Sequence, residues 1–215
     1  MKKLVIFDLD GTLLNTIADL AAASNYALEQ CGYPTHAPAT YPYFVGNGVT
    51  KLLERILPEE DRNDVTLQKM RAHFTEYYDE HCTDLTVPYP GIPELLDSLT
   101  AEGVNIAVAS NKYQSAVSQL IEKFFPQYQW AAVEGNKEGW PVKPDPSIVF
   151  DILSKCPTAK SDVLYVGDSG VDMDTARRAC VESCGVTWGF RPESELRDHY
   201  ADHIVATPAE LLRLV

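Results

Sequence analysis

The chain has 215 residues, with 31 Asp and Glu against 18 Lys and Arg, for a formal net charge of −13. One or two domains fit that length, and 45% hydrophobic with 10% aromatic residues excludes a disordered chain. The acidic balance argues against an extended nucleic-acid footprint and against an anionic membrane surface, since both call for clustered basic charge.

The first element is the continuous apolar run Leu4-Val5-Ile6-Phe7, the pattern of a strand buried on both faces of a parallel sheet. Residues 17–30 carry Leu20, Ala23, Ala27 and Leu28 at helical spacing, stopped by Gly32 and Pro34. Residues 35–44 are proline-punctuated and have no clear period. Two further amphipathic helices are predicted over 49–57 and 63–82, with Pro58 between them, so that 15–85 reads as wholly helical.

After Pro88 and Pro90 the pattern alternates. Helix 93–101, strand 104–109, helix 114–125, a strand near 130–133, helix 146–155 and strand 163–166 are predicted in turn. Helix 173–180, a short strand near Val186, a strand at 203–205 and helix 209–214 complete the chain. Such alternation predicts an α/β fold: a Rossmann-like parallel sheet with helices on both faces, plus an inserted all-helical unit. The expected domains are 1–14 with 86–215 as the core, and 15–85 as the helical insert.

The apolar run at 4–7 is shorter than the roughly 7–15 residues of a signal-peptide core. Nothing approaches the roughly 18 apolar residues of a membrane span. Five scattered cysteines, an odd number, fit a reducing compartment. A cytoplasmic location is expected, with no membrane and no nucleic-acid partner. The sequence leaves monomer and homodimer open.

Ligands of parallel α/β sheets bind beyond the carboxyl ends of the strands. Two such ends carry paired acids. In Asp8-Leu9-Asp10-Gly11-Thr12, residues two apart in an extended segment share a side, so Asp8 and Asp10 can converge. In Gly167-Asp168-Ser169-Gly170-Val171-Asp172, Asp172 follows Asp168 at one helical turn. If the pairs meet, the clustered carboxylates need a cation, and a hard divalent ion such as Mg²⁺ suits oxygen ligands. Ser110-Asn111-Lys112 ends another apolar strand, where Ser110 Oγ and backbone N–H groups suit a phosphate oxygen; plain helix capping would use the same residues. In Lys143-Pro144-Asp145-Pro146, proline holds Lys143 extended, with Asp145 as N-cap and Pro146 as first helical residue.

These four segments together, in this order, resemble the haloacid dehalogenase superfamily of phosphatases. The resemblance implies a Rossmann-like core with a helical cap. It implies that Asp8 is the nucleophile that becomes an aspartyl phosphate and that Asp10 is the acid and then the base. Ser110 and Asn111 would bind the phosphoryl group, with Lys143 balancing charge on it and on Asp8. Mg²⁺ would sit between Asp8, the Asp10 backbone carbonyl and Asp168, with Asp172 acting behind them. The family's true dehalogenases need neither the second acid nor the metal, so Asp10 with Asp168 favours phosphoryl transfer. The stretch 134–141 before Lys143 departs from the Gly-Asp start common in relatives.

Phe44-Val45-Gly46-Asn47-Gly48-Val49 and Pro88-Tyr89-Pro90-Gly91 look like the corresponding stretches of bacterial phosphoglycolate phosphatases. On that likeness Gly46, Asn47, Gly48 and Arg55 are candidate specificity residues, and the substrate is a small phosphorylated metabolite, phosphoglycolate first. A phosphosugar mutase sharing the aspartyl-phosphate chemistry is the main alternative; a non-catalytic phosphate-binding protein is the other. His199 and His203, four apart, and Cys180 and Cys184 read as surface and packing residues with no third ligand nearby.

Overall fold

Leu4 to Phe7 are branched or aromatic with no polar break, so they form a strand only where both faces are covered. In the computed structural model, which describes residues 1–215, β1 (Leu4–Phe7) is buried throughout. Successive side chains of a strand point to opposite faces. Val5 and Phe7 accordingly join one apolar cluster and Leu4 and Ile6 another, on the other side of the sheet.

A two-residue strand β2 (Leu14–Asn15) follows, then helices α1 (Ile17–Gln30), α2 (Val49–Ile56) and α3 (Asp64–His81), with a 3₁₀ turn at Pro38–Tyr43. β3 (Val87–Pro88) pairs antiparallel with β2, Leu14 opposite Pro88. Apart from Asn15, every element within 15–85 is helical, and a short two-stranded ribbon at its ends carries the chain out of and back into the sheet. The proline-punctuated stretch still makes helical turns, because Pro38 suits the first position of one.

The remaining elements are α4 (Ile92–Ala101), β4 (Asn105–Tyr113), α5 (Gln114–Phe124), β5 (Ala132–Asn136), α6 (Ser147–Lys155), β6 (Val163–Gly167), α7 (Gly170–Ala179), β7 (Glu182–Val186), α8 (Glu193–Asp198), β8 (His203–Val205) and α9 (Pro208–Leu211). The main sheet has the order β5-β4-β1-β6-β7-β8 with every pairing parallel. Phe7 lies opposite Val108 on one side and Val166 on the other. The chain builds outward from β1 in one direction and then in the other, so the topological switch point lies at β1, where open α/β sheets bind ligands.

Several boundaries differ from the sequence reading; α7, for one, starts at Gly170 and not at residue 173. β4 continues to Tyr113 past a register break after Ala109, so Ser110 to Lys112 lie on an irregular strand end. β5 lies at 132–136, two residues beyond the apolar signal. Helix α6 starts at Ser147, because Asp145 Oδ1 accepts the Ser147 N–H at 2.9 Å and Pro146 takes the cap position. Helix α8 was not foreseen; its sequence is charged, and only Leu196 is buried.

One buried acid ties the helical segment to its exit. Asp19 on α1 accepts the N–H groups of Leu85 and Thr86 and the Thr86 hydroxyl, the last two at 2.8 and 2.7 Å. Removing the carboxylate strands two backbone donors next to the ribbon. Asp19→Ala is expected to destabilise the protein by about 2–4 kcal/mol in urea melts, and a variant as stable as the wild type would show that these bonds carry no net stability.

Candidate active site

Asp8 is the first residue beyond β1, and its N–H still bonds the Val166 carbonyl at 2.8 Å, so the sheet fixes its backbone. Asp168 is the first residue beyond β6, the neighbouring strand, and Asp172 lies in the first turn of α7. Carboxylate oxygens of Asp8, Asp168 and Asp172 all lie within 4.8 Å of one another. Gly11 (φ +88) and Gly189 make room for this: a Cβ at either would collide with the Asp168 side chain.

Lys143 enters from the segment before α6, and its side chain is 2% exposed. Its Nζ is 2.9 Å from Asp8 Oδ1 and 2.7 Å from Asp172 Oδ1, and it donates to the Ala109 carbonyl at 2.9 Å. Asp172 Oδ2 accepts the N–H and hydroxyl of Ser169, so both its oxygens are engaged. Asp168 Oδ2 accepts the Phe190 N–H at 2.7 Å. Asp8 Oδ2 and Asp168 Oδ1 carry no hydrogen bond.

The electrostatics follow from burial and crowding. Burial pushes the Asp8 carboxyl up to about 7, and repulsion from Asp172 adds to it, against the attraction of Lys143. Burial also holds Asp168 well above the carboxylate range, with Asp172 and Asp8 next in effect. For Lys143 burial acts to lower the pKa, but Asp172 and Asp8 outweigh it and keep the ammonium charged. Three hard oxygen donors with excess negative charge and no thiolate or imidazole among them fit Mg²⁺ or a similar oxygen-seeking cation.

The other predicted residues lie around this cluster. Asp10 turns away from it: Thr16 Oγ1 donates to Asp10 Oδ1 at 2.6 Å and Lys112 Nζ to Oδ2 at 2.9 Å. Ser110 is buried and lines the same cavity as Asp8. The Asn111 side chain is occupied by backbone, accepting the Lys143 N–H at 2.8 Å and donating to the carbonyls of Lys143 and Gly46. It braces Lys143 against the loop of residues 42–48, which leaves only its backbone N–H for an anion. Gly46 and Gly48 line the cavity, whereas Asn47 accepts a bond from Arg55, whose guanidinium also holds the Phe44 carbonyl.

Sequence reasoning missed three residues here. Lys112 is 4% exposed and pairs with Asp10; its place directly after Ser110-Asn111, ending an apolar strand, was the available signal. Arg191, after β7, donates to the carbonyls of Pro42 at 2.6 Å and Val45 at 2.7 Å, and so clasps the same loop from the core. Tyr78 of α3 lies under the Lys112 ammonium, which is 4.8 Å from its ring centre. Nothing local in the sequence marks Arg191, and Tyr78, with Phe74 and Tyr77, reads as packing of the helical segment.

Asp8, Asp10, Asp168, Ser110, Lys112, Tyr78 and Arg191 line one cavity that is open to solvent. Its floor includes Asp8, Asp10, Asp168 and Ser110; from the helical segment Leu20, Val49, Leu52, Phe74 and Tyr78 line it. The remaining sequence candidates lie elsewhere. His199, just beyond α8, faces Asp174 at 3.1 Å, and His203 opens β8 beside Glu182, so the two do not share a helix. All five cysteines are unpaired, Cys180 exposed and Cys184 buried. Lys137 pairs with Glu134 and covers Trp140 instead of approaching Asp8. No helix is long and apolar enough to cross a membrane.

A carboxyl held near 7, against an ordinary 3.8, binds its proton more tightly in the folded chain than in the unfolded one. Without a cation, stability from this group is therefore lost as pH rises from about 4 to about 7, by up to about 1.4 kcal/mol per pH unit. In chelator, the Tm of the wild type minus that of Asp8→Asn is expected to fall steadily across that window; a pH-independent difference would contradict the shift.

The haloacid dehalogenase-like hydrolase family model matches residues 5–186. A phosphoglycolate phosphatase of Agrobacterium fabrum is 33% identical over 224 residues, covering 100% of this chain and 95% of that protein. That of Vibrio parahaemolyticus is 30% identical, covering 99% and 96%. A solved structure of a proposed phosphoglycolate phosphatase from Lactobacillus delbrueckii subsp. bulgaricus superposes with a TM-score of 0.92 at 34% identity, covering 98% of this chain and 97% of that one. The four motifs, the parallel sheet and these matches agree, and the chain belongs to the haloacid dehalogenase-like hydrolase family.

Proposed function

We propose that the protein is a Mg²⁺-dependent phosphomonoester hydrolase that works through an aspartyl phosphate on Asp8 and takes a small phosphorylated acid, phosphoglycolate first, as its substrate. The observation that carries this reading is the asymmetry of the two acids two residues apart. Asp8 has one oxygen neutralised by Lys143 and the other free, while Asp10 is held at the cavity wall by Thr16 and Lys112. Binding a phosphate alone would need no second acid.

Asp8 Oδ2 attacks phosphorus, and the bond from phosphorus to the leaving oxygen breaks. Asp10 gives its proton to that oxygen, then takes one from the water that attacks the aspartyl phosphate, releasing inorganic phosphate and restoring Asp8. Lys143 offsets the charge that collects between Asp8 and the phosphoryl group. Ser110 Oγ and the Asn111 N–H hold phosphoryl oxygens. Asp8, the Asp10 carbonyl and Asp168 would hold Mg²⁺, with Asp172 behind them, and the ion supplies positive charge that lets a dianion approach a carboxylate.

Residues 15–85 act as a cap domain over the core of 1–14 and 86–215, closing over the substrate to exclude water. Gly46, Asn47, Gly48 and Arg55 shape the loop that meets the leaving group. The phosphoglycolate phosphatase names of the relatives support this substrate.

With p-nitrophenyl phosphate, Asp8→Asn is expected to lower kcat roughly a thousandfold or more, and Asp10→Asn by about 10²–10⁴. Wild-type turnover by Asp8→Asn would reject Asp8 as the nucleophile.

A further inference from the structure

Four buried polar side-chain atoms in the protein have no hydrogen-bond partner: Thr12 Oγ1, Ser24 Oγ, Tyr78 Oη and Trp130 Nε1. Only Tyr78 among them lines the active-site cavity. Tyr78 is 1% exposed, and its ring is fixed by stacking on Phe74, with centroids 5.3 Å apart. A buried hydroxyl without a partner costs stability unless something else in use satisfies it. Burial, reinforced by Asp10, holds the phenol well above its usual pKa, so it stays neutral and can donate.

The ammonium of Lys112 lies over the face of the same ring, 4.8 Å from its centre. Of its three N–H groups, one goes to Asp10 Oδ2, and Nζ makes no other hydrogen bond. Tyr78 from the helical segment and Lys112 from the sheet both line the cavity and lie against each other there. The phosphoryl end of a substrate is already served by Lys143 and Ser110. Around the second pair the helical segment contributes mainly apolar side chains, Leu20, Val49, Leu52 and Phe74.

We propose that Tyr78 and Lys112 form the subsite that recognises the carboxylate of the leaving group, so that the enzyme selects short phosphorylated acids over phosphate esters with neutral leaving groups. A carboxylate has two oxygens to take one donor from each residue and a charge that matches the ammonium. A neutral hydroxyl could accept from Tyr78 but would gain little from the cation. The inference rests on the hydrolase reading above and names what sets its substrate class.

The test compares phosphoglycolate with ethyl phosphate, which lacks the carboxylate, in the wild type and in Tyr78→Phe. The substitution keeps the ring and its stacking, and a thermal melt checks the fold. The wild type is expected to favour phosphoglycolate in kcat/KM by at least about tenfold, and Tyr78→Phe to erase about tenfold of that preference, mainly through KM. In parallel, calorimetry with 3-phosphonopropionate and propylphosphonate, which cannot be hydrolysed, should show the same loss of preference in Kd. Equal handling of the two esters by the wild type, or an unchanged preference in Tyr78→Phe, overturns the subsite while leaving the hydrolase intact. Turnover of neither ester counts against the hydrolase reading, and the phosphonate pair then decides the subsite alone.

Discussion

Lys143 is the single ammonium set among three buried carboxylates, and the charge it leaves unbalanced governs the site. Asp8, Asp168 and Asp172 bring three negative charges into one pocket, and Lys143 returns one. Two charges remain, which is the charge of one divalent cation. The same excess appears as the raised carboxyls of Asp8 and Asp168, since crowding and burial both favour the protonated form. Asp172 is spent on Lys143 and Ser169, so the free oxygens are those of Asp8 and Asp168. The proposed nucleophile and the strand-end acid beside it thus face the place where an ion would balance the charge.

Placement of these groups comes from the sheet. Parallel pairing of β1 with β4 and β6 runs as far as Phe7, Val108 and Val166, so Asp8 and Asp168 emerge directly from paired strands and Ser110 sits just past the regular part of β4. The roof comes from helices that enter and leave through the short ribbon beside Asp19. Two links join floor to roof at the loop of residues 42–48. Asn111 bonds both Lys143 and Gly46, and Phe190, held by Asp168, precedes Arg191, which holds Pro42 and Val45. The acid cluster and the loop above it are therefore one connected hydrogen-bonded unit. That arrangement suits a reaction that must exclude water until the leaving group has gone.

Sequence patterning sufficed for the parallel sheet and for the acids at its strand ends, because β1, β4 and β6 are unbroken apolar runs that end in polar residues. Lys143 was legible because the prolines around it restrict the backbone. The ribbon of Leu14–Asn15 with Val87–Pro88 was not, since two-residue strands have no period to detect. The charged helix α8 lacked an apolar face long enough to register. Arg191 and Tyr78 lay beyond reach for another reason: each matters through a contact with a distant segment, Arg191 with a loop almost 150 residues earlier in the chain. The sequence points only to the backbone N–H of Asn111 as a phosphate donor; that its side chain binds the backbone of Lys143 and Gly46 is a use that only the folded chain reveals.

Calorimetric titration of the metal-free protein with Mg²⁺ tests the charge balance most directly. The account predicts one ion per chain, tighter binding as pH rises through about 7 while Asp8 gives up its proton, and loss of binding in Asp168→Asn. No binding, or equal binding in Asp168→Asn, would contradict it.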